Sequence, residues 1–423
     1  MIGRRCPKSI HAFTAVLAIF LFASALRAQE WARFRGPDGS GVNPAVDVPA
    51  VWGEKDYRWK IALPGGGHSS PVLWGDKLFV TCADQASARR TVLCINSRDG
   101  STLWTRDFGS HAFHQHGDNS YASATPAVDA EHVYVCWSTP EEFMLIALNH
   151  DGADAWKADL GPFISQHGGG NSPIVVGDVV LLADDNEGKE SFLFGFDRHA
   201  GKLLWKMPRH SDKFSASTPC VLELSGGSAQ AVFTSTAHGM TSVEPVSGRV
   251  LWQLPGLFDL RTVSSPVAGG GMIFATCGEG GGGHVLVAVR PGDGAAAVPT
   301  VAYSIRQNTP YVPTPIVYKD LLFYLSDGGV ATCARAATGA TLWQKRIGGS
   351  YYASPVIAGD KIFCVSKKEE VVALAASEQF NLLGRTRLDL DAKCHSTPAL
   401  ANGDLFLRTY SHLVCVAGHE QAK

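Results

Sequence analysis

Short apolar runs separated by turn residues follow one another along most of the chain, and one arrangement of them recurs. In "SSPVLWGDKLFV" (residues 69–80), a hydroxyl residue and a proline lead into an apolar run, a Gly-Asp turn and a second apolar run. A Ser or Thr followed by Pro heads such a run eight times, with 40 to 55 residues between successive prolines. This period, built from short strands, is typical of propeller blades. The eight prolines are Pro71, Pro126, Pro173, Pro219, Pro266, Pro315, Pro355 and Pro398.

A second recurring signal is a Gly four residues before a Trp, as in Gly100 and Trp104. Gly supplies a positive-φ turn between the third and fourth strands, and the large indole can fill the gap between neighbouring sheets. Copies five and seven carry "VAYSIRQ" and "NLLGRTRL" instead, so their blade contacts are predicted to be weaker or differently filled. The predicted structural tryptophans are Trp59, Trp104, Trp156, Trp205, Trp252 and Trp343.

The eighth copy, "LANGDLFLRTYSHLVCVAG", provides only three strands. Near the start of the repeats, "YRWKIAL" (residues 57–63) resembles the missing fourth strand, with Trp59 in the indole position. We therefore predict an all-β fold, an eight-bladed β-propeller of four-stranded antiparallel blades over residues 57–423, whose last blade is closed by an N-terminal strand. Closure of this kind leaves no open sheet edge.

The first 56 residues precede the predicted ring. Residues 1–28 have the basic start and apolar middle (10–26) of a secretory signal peptide, so we expect an exported mature protein, periplasmic or secreted. An uncleaved anchor is the alternative, although the run is barely long enough to span a bilayer. No later segment is apolar enough for a transmembrane span. Residues 29–56 are predicted to form a strap on the outside of the ring, with a binding role for Arg33 or Arg35 as the alternative.

Charge and cysteine content narrow the class of protein further. The formal net charge is −2, and no block of five like charges occurs, so nothing favours nucleic acid as a partner. Nine of the ten cysteines lie outside the predicted signal, and several sit in apolar runs such as "VYVCW". These are expected to be buried free thiols that pack as small apolar residues.

The loops that lead into the first strand of each blade, here called the mouth loops, should converge on one face near the axis, the usual ligand site of a propeller. They are the most polar part of the chain and hold most of its histidines. No catalytic residue is assigned, because the sequence contains no recognisable nucleophile, phosphate-binding or zinc-protease motif. The candidate ligand-binding residues are His68, His114, His116, Asn119, Tyr121, His167, Asn171, Arg261, Arg306, Tyr352 and His395.

Two metal sites are open alternatives. His114, His116 and His167 could supply three imidazole nitrogens, or they could line a polar funnel without metal. The hairpin "ADDNEGKE" (residues 183–190) could donate oxygens to calcium, or it could be a solvated hairpin tip.

The unit "FDRHAGKLLW" (residues 196–205) resembles the tryptophan-docking repeat of the quinoproteins, and "ARAATGATLW" (334–343) is a looser match. On these motifs the chain is similar to PQQ-like β-propeller repeat proteins. That group includes the quinone-dependent alcohol dehydrogenases and the propeller lipoprotein of the outer-membrane barrel-assembly machinery. The dehydrogenases of this group hold a flat cofactor against a disulfide between adjacent cysteines, and they use calcium and a catalytic Asp. The resemblance would imply the same features in this chain. No adjacent cysteines occur in this chain.

The sequence therefore supports two main functions. The first is a non-catalytic exported binding or scaffold protein, expected to be monomeric and without a cofactor, whose mouth face takes a protein partner of the cell envelope or a small-molecule ligand. The second is an oxidoreductase acting on alcohols or sugars with pyrroloquinoline quinone and calcium. A metal-dependent hydrolytic enzyme at the histidine-rich loops is a third class.

Overall fold

The computed structural model describes residues 30–188, 190–211, 213–223, 229–291, 298–390 and 393–418, and the predicted signal peptide lies outside these ranges. Eight sheets of four antiparallel strands make up the fold, and one of them gains a short fifth strand. This confirms the predicted all-β, eight-bladed propeller. In the described ranges the helical content is one 3-10 turn, Glu54–Asp56. None of the described helical residues forms a helix long and apolar enough to cross a membrane.

The strands run in chain order around the ring, from the innermost to the outermost strand of each blade. Two strands precede blade 1: β1 (Val42–Asn43) and β2 (Tyr57–Ala62). Blades 1 to 4 consist of β3 (Val72–Trp74), β4 (Lys77–Ala83), β5 (Arg90–Asn96), β6 (Thr102–Phe108), β7 (Ala127–Val128), β8 (His132–Ser138), β9 (Phe143–Asn149), β10 (Asp154–Asp159), β11 (Ile174–Val176), β12 (Val179–Asp184), β13 (Ser191–Asp197), β14 (Leu203–Arg209), β15 (Cys220–Glu223), β16 (Ala229–Ser235), β17 (Gly239–Val243) and β18 (Val250–Leu254).

Blades 5 to 8 follow in the same order, except that the fourth strand of blade 8 is β2. They consist of β19 (Val267–Gly269), β20 (Met272–Glu279), β21 (Gly282–Arg290), β22 (Thr300–Ile305), β23 (Ile316–Tyr318), β24 (Leu321–Leu325), β25 (Val330–Arg335), β26 (Thr341–Arg346), β27 (Val356–Ala358), β28 (Lys361–Val365), β29 (Glu370–Ala375), β30 (Leu382–Arg387), β31 (Ala399–Ala401), β32 (Asp404–Arg408) and β33 (His412–Val416).

Burial explains the apolar runs in the sequence. The second and third strands of a blade are almost wholly buried, as in β4 and β5, while the outer strand β6 is largely exposed. Both faces of the middle strands pack against neighbouring blades, so these strands are apolar on both faces rather than alternating. The nine described cysteines are all buried and unpaired, as the sequence predicts.

The ring is closed by strands from the two ends of the repeat region. β2 pairs antiparallel with β33, with Trp59 opposite Cys415, and so completes blade 8. Trp59 then lies over Gly100 of blade 1 and donates from Nε1 to the carbonyl of Ser97 at 2.9 Å. Gly100 has φ of 76°, and a Cβ there would lie 2.8 Å from the indole, so the contact requires glycine.

The same docking contact joins most neighbouring blades. In blade 5, where the Trp is missing, Tyr303 lies over Gly339 and donates to the carbonyl of Ala336, which confirms that this contact is differently filled. Trp252 instead donates to the side chain of Gln230. The remaining docking tryptophans donate to carbonyls of the next blade: Trp104 to His150, Trp156 to Arg198, Trp205 to Pro245 and Trp343 to Ser377.

The hydroxyl residue before each proline links the innermost strands. Its backbone N–H donates to the hydroxyl oxygen of the equivalent residue in the next blade, in seven links of 2.9–3.1 Å. The recurring Ser or Thr of the sequence thus encodes a ring of hydrogen bonds around the axis, here called the hydroxyl ring. Its members are Ser70, Thr125, Ser172, Thr218, Ser265, Thr314, Ser354 and Thr397.

Residues 31–43, here called the floor segment, cross the axis at the end of the ring opposite the mouth loops. Trp31 exchanges backbone hydrogen bonds with Leu73 of blade 1, and β1 pairs with β27 of blade 7. The prediction that this stretch packs on the outside of the ring is wrong. The inward-facing carbonyls of the innermost strands need donors, and the arginines of the floor segment supply them.

Arg33 and Arg35 provide these donors, and both are almost completely buried. Arg33 donates to the carbonyl of Pro219 at 3.2 Å. Arg35 donates to the carbonyls of Pro315 at 2.8 Å and Pro355 at 2.9 Å, so one guanidinium joins blades 6 and 7.

Candidate functional site

A cavity of about 490 Å³ lies on the axis between the mouth loops and the floor segment. All eight mouth loops contribute lining residues, and the hydroxyl ring encircles the cavity. Phe34, which stands between the two buried arginines of the floor segment, lines its far end. The cavity therefore has an aromatic floor, a hydroxyl wall and a histidine-rich mouth.

Seven of the eleven candidate residues line this cavity: His68, His116, Asn119, His167, Arg261, Tyr352 and His395. The structure does not bring the other four to it. His114 and Arg306 are exposed, outside the lining. Tyr121 and Asn171 are buried in structural roles, because Tyr121 donates to the carbonyl of Phe113 and Asn171 donates to the carbonyls of Ala183 and Ser215.

The second mouth loop (residues 109–126) reaches across the mouth to blades 7 and 8. The carboxylate of Asp118 accepts from Lys367 Nζ at 2.9 Å and from the Tyr352 hydroxyl at 3.3 Å. The carbonyl of Asp118 lies 3.2 Å from His395 Nδ1, and the carbonyl of Gly117 accepts from Lys393 at 3.4 Å. This loop therefore forms a latched cover over part of the cavity.

The other side of the same loop is held by blade 3. Asn119 Nδ2 donates to the carbonyl of His167 at 2.6 Å and to that of Gly169 at 3.1 Å. The ring of His116 stacks on that of His167 with 5.2 Å between centroids. Together with the Asp118 contacts, these bonds fix the loop from both sides of the mouth.

Three of the mouth histidines, His68, His167 and His395, have a lowered pKa. His68 stacks on His395 with 4.3 Å between centroids, and burial lowers the pKa of both rings, that of His395 to about 4. Burial, with the nearby charge of Arg261, also lowers the pKa of His167. His114, His116 and His167 do not assemble a metal site, and the described residues contain no group of three or more His, Cys, Asp or Glu that could hold a metal ion.

The contact with Asp118 fixes the tautomer of His395. A carbonyl oxygen can only accept, so Nδ1 must carry the proton and Nε2 must be the unprotonated acceptor. Nε2 is buried and has no hydrogen-bond partner. His395 therefore brings an unused acceptor to the wall of the cavity.

A salt bridge borders the cavity opposite this histidine pair. Arg261 Nη2 lies 3.1 Å from Glu187 Oε1, and both side chains are about 14% exposed. Although burial opposes its ionisation, hydrogen bonds from Gln166 and Arg261 lower the pKa of Glu187. The Nε of Arg261 is buried and lacks a partner. Arg261 thus has a spare donor while its charge is already neutralised.

The hairpin that carries Glu187 is neither a solvated tip nor a calcium site. Asp185 forms a two-bonded ion pair with Arg209 at 3.0 Å, and each side chain is about 1% exposed. Burial raises the pKa of Asp184 to about 8, and Asn186 donates to it at 2.7 Å. The oxygens that could have bound calcium are used within the protein.

Four residues at or beside this cavity are not among the predicted ligand-binding residues: Phe34, Asp118, Lys367 and Glu187. Phe34 had one local signal, an aromatic residue between two arginines in a turn-rich segment. No local pattern links Asp118 to Lys367, because they are 249 residues apart in the chain and meet only through the closed ring.

The neutral state of His395 predicts a pH effect on stability. Its folded pKa of about 4 lies below the ordinary value of 6.5, so its stabilisation is present above pH 6.5 and is lost as pH falls toward 4. In His395→Asn, whose amide can still donate to Asp118 but cannot titrate, we expect a smaller loss of thermal midpoint between pH 7 and pH 4.5. His114→Asn, at an exposed position, is the control. If the thermal midpoints of wild type and His395→Asn fell by the same amount over this pH range, the prediction would be contradicted.

The chain is similar to one protein family and to several solved structures. The family model described as outer membrane protein assembly factor BamB matches residues 50–214, 88–293 and 144–380, which together span most of the chain. No curated protein matches the sequence.

Several solved structures share the fold. BamB from Moraxella catarrhalis is 15% identical with a TM-score of 0.60, over 86% of this chain and 98% of its own. The quinohemoprotein alcohol dehydrogenase from Comamonas testosteroni is 11% identical with a TM-score of 0.63, over 96% and 83%. A europium-containing methanol dehydrogenase is 10% identical with a TM-score of 0.53, over 93% and 91%.

Proposed function

The chain belongs to the family described as outer membrane protein assembly factor BamB, and from this premise we propose that it is an exported, non-catalytic binding protein that takes a small-molecule ligand at its mouth face. In this proposal residues 1–28 are a signal peptide that is removed, and residues 29–56 and 57–423 form the mature protein as a monomer in the cell envelope. The family description also supports a protein partner in the envelope, and in this proposal the mouth face is where such a partner would bind.

The axial cavity is the observation that carries this proposal. Its volume of about 490 Å³ falls in the range of small-molecule sites, about 300–1,000 Å³. The floor segment closes the far end, so a ligand would be held rather than passed through. The polar residues at the mouth come from all sides of the ring, which allows one molecule to contact several blades.

The protonation states support binding rather than acid–base catalysis. A general base works best with a pKa near the operating pH. Burial lowers the pKa of His395 to about 4, and burial raises that of Tyr352 to about 12. Although burial opposes it, the hydrogen bond and charge of Lys367 lower the pKa of Asp118. Each of these groups therefore keeps one protonation state near neutral pH, which suits a role in ligand recognition.

The residues present do not fit pyrroloquinoline quinone with calcium. The nine described cysteines are unpaired, so they provide no disulfide against which a flat cofactor could lie. The described residues offer no cluster suited to a metal ion, and the one cation among the lining residues, Arg261, is already paired with Glu187. No reaction step through the quinone follows from this site.

Filling the cavity should abolish ligand binding. Gly170 lines the cavity, and a Cβ there would make ordinary contact, 3.7 Å from Ala216. We expect Gly170→Trp to fold and to occupy the ligand's space. Gly53→Trp, at an exposed glycine with open space around it, is the matched control.

The measurement is retention of small molecules. Wild type and both variants are incubated with the small-molecule fraction of the host cells, passed through gel filtration, denatured and analysed by mass spectrometry. Wild type and Gly53→Trp should release a compound that Gly170→Trp does not. Equal release from all three, or release from none, would overturn the proposal, and retention of a protein alone would favour the scaffold role.

A further inference from the structure

The two formal charges on the described lining of the cavity are each paired within the protein, and the buried arginines of the floor segment donate to backbone carbonyls. Among the described lining residues other than histidines, only Asp118 and Arg261 are charged. Asp118 pairs with Lys367 at 2.9 Å, and Arg261 pairs with Glu187 at 3.1 Å. A charged ligand would lose its hydration without gaining a free counter-charge, and an uncompensated buried charge is costly. The lining itself therefore favours an uncharged ligand.

The unpartnered polar atoms indicate which neutral groups the ligand should carry. His395 Nε2 is a buried acceptor without a donor, and Arg261 Nε is a buried donor without an acceptor. Buried polar groups are normally hydrogen-bonded, so both atoms favour a ligand that completes them once the latched loop moves aside. Hydroxyl groups can fill both roles, because a hydroxyl can donate to the first atom and another can accept from the second.

The arrangement of apolar and polar surface adds a shape. Phe34 presents an aromatic surface at the floor, and the hydroxyl ring surrounds the cavity above it. A ring-shaped molecule with C–H groups on its face and hydroxyls on its rim matches this arrangement, because the face can pack on the aromatic floor while the rim meets the hydroxyls. A saccharide ring has this distribution of groups.

We propose that the cavity binds a neutral saccharide, with a sugar face on Phe34 and sugar hydroxyls at His395 Nε2 and Arg261 Nε. This inference rests on the proposed binding function and specifies the ligand class. It involves no bond-making step, and Asp118 acts only by holding the covering loop to blades 7 and 8.

The test is titration calorimetry on the mature protein with a panel of neutral mono- and disaccharides. Glucuronate serves as the charged counterpart, and pyrroloquinoline quinone as a flat polyanion. At least one neutral saccharide should bind and be excluded by Gly170→Trp. Its dissociation constant should rise about tenfold or more in His395→Phe, which keeps a ring but loses the acceptor, and in Phe34→Ala. His114→Phe, outside the cavity, should bind as wild type does, and thermal midpoints establish that each variant folds.

Three results would overturn the ligand class. They are the absence of binding across the neutral panel, binding of glucuronate or the quinone as tight as that of any neutral sugar, and unchanged affinity in folded His395→Phe. These failures are distinct from failure of the proposed function. If Gly170→Trp still loses a compound from the host cells that proves charged or poor in hydroxyls, the binding function stands and the saccharide inference falls.

Discussion

Replacing Trp59 with Ala should cost about 3–5 kcal/mol of the free energy of unfolding, the range for a buried Trp or Phe cut to Ala. The indole is about 8% exposed, lies over Gly100 and donates to Ser97, so its loss leaves a gap at the junction of blades 8 and 1. Blade 8 is completed here by β2 and β33, which pair with each other but are not joined by a hairpin loop. We therefore expect β2 to open locally before the rest of the ring.

Hydrogen exchange and urea unfolding together check this expectation. Trp104→Ala is the matched control, because Trp104 makes the same contact with Gly152 at a junction inside the repeat order. In Trp59→Ala, peptides covering β2 and β33 should exchange faster than in wild type, whereas in Trp104→Ala they should not. Equal exchange of these peptides in the two variants would show that the closing strand is held mainly by other contacts.

Arg35→Ala should also lose about 3–5 kcal/mol, because removing a buried, hydrogen-bonded partner leaves several groups unsatisfied, each at about 1–3 kcal/mol. The guanidinium serves the carbonyls of Pro315 and Pro355, and also that of Ser40 at 2.7 Å. The backbone of Arg35 has φ of 65°, a conformation that non-glycine residues rarely adopt, so these contacts outweigh a local strain. Gly41 makes room for them, since a Cβ there would lie 2.7 Å from the guanidinium.

Arg89→Ala is the control for Arg35→Ala. Arg89 forms an exposed ion pair with Asp107 at 2.9 Å, and such pairs contribute about 1 kcal/mol or less. Urea unfolding monitored by tryptophan fluorescence measures both losses. An Arg35→Ala midpoint as high as that of Arg89→Ala would mean that the floor segment is not fastened by this side chain.

The fold could be predicted because its signals are local and repeated. A Ser or Thr before Pro, a turn, and a Gly four residues before a Trp each concern a few neighbouring residues, and the ring repeats them. Even the closing strand was visible, because "YRWKIAL" repeats the fourth-strand pattern with Trp59 in place. The hydroxyl before Pro was a sequence signal, but its role emerged only with the three-dimensional ring. Such a hydroxyl accepts a hydrogen bond from the backbone N–H of the equivalent residue in the preceding blade.

The site was predicted less completely because its contacts are long-range. His114 and His116 look equivalent in the sequence, yet the path of the second mouth loop leaves His114 outside the cavity lining and brings His116 onto His167. The floor segment was misplaced for a similar reason. Its turn residues indicate an irregular path, but only the carbonyls of three distant blades explain why two arginines are buried there.

Closure by β2 has a consequence for how the chain folds. The ribosome makes this strand before any of the three strands that it must join, and blade 8 cannot form until residues 412–416 have been made. Such distant pairing raises contact order and slows folding. Until then the nascent chain carries an unpaired strand edge, and newly made β-proteins aggregate through such edges. Chaperones that shield this edge would therefore act during synthesis.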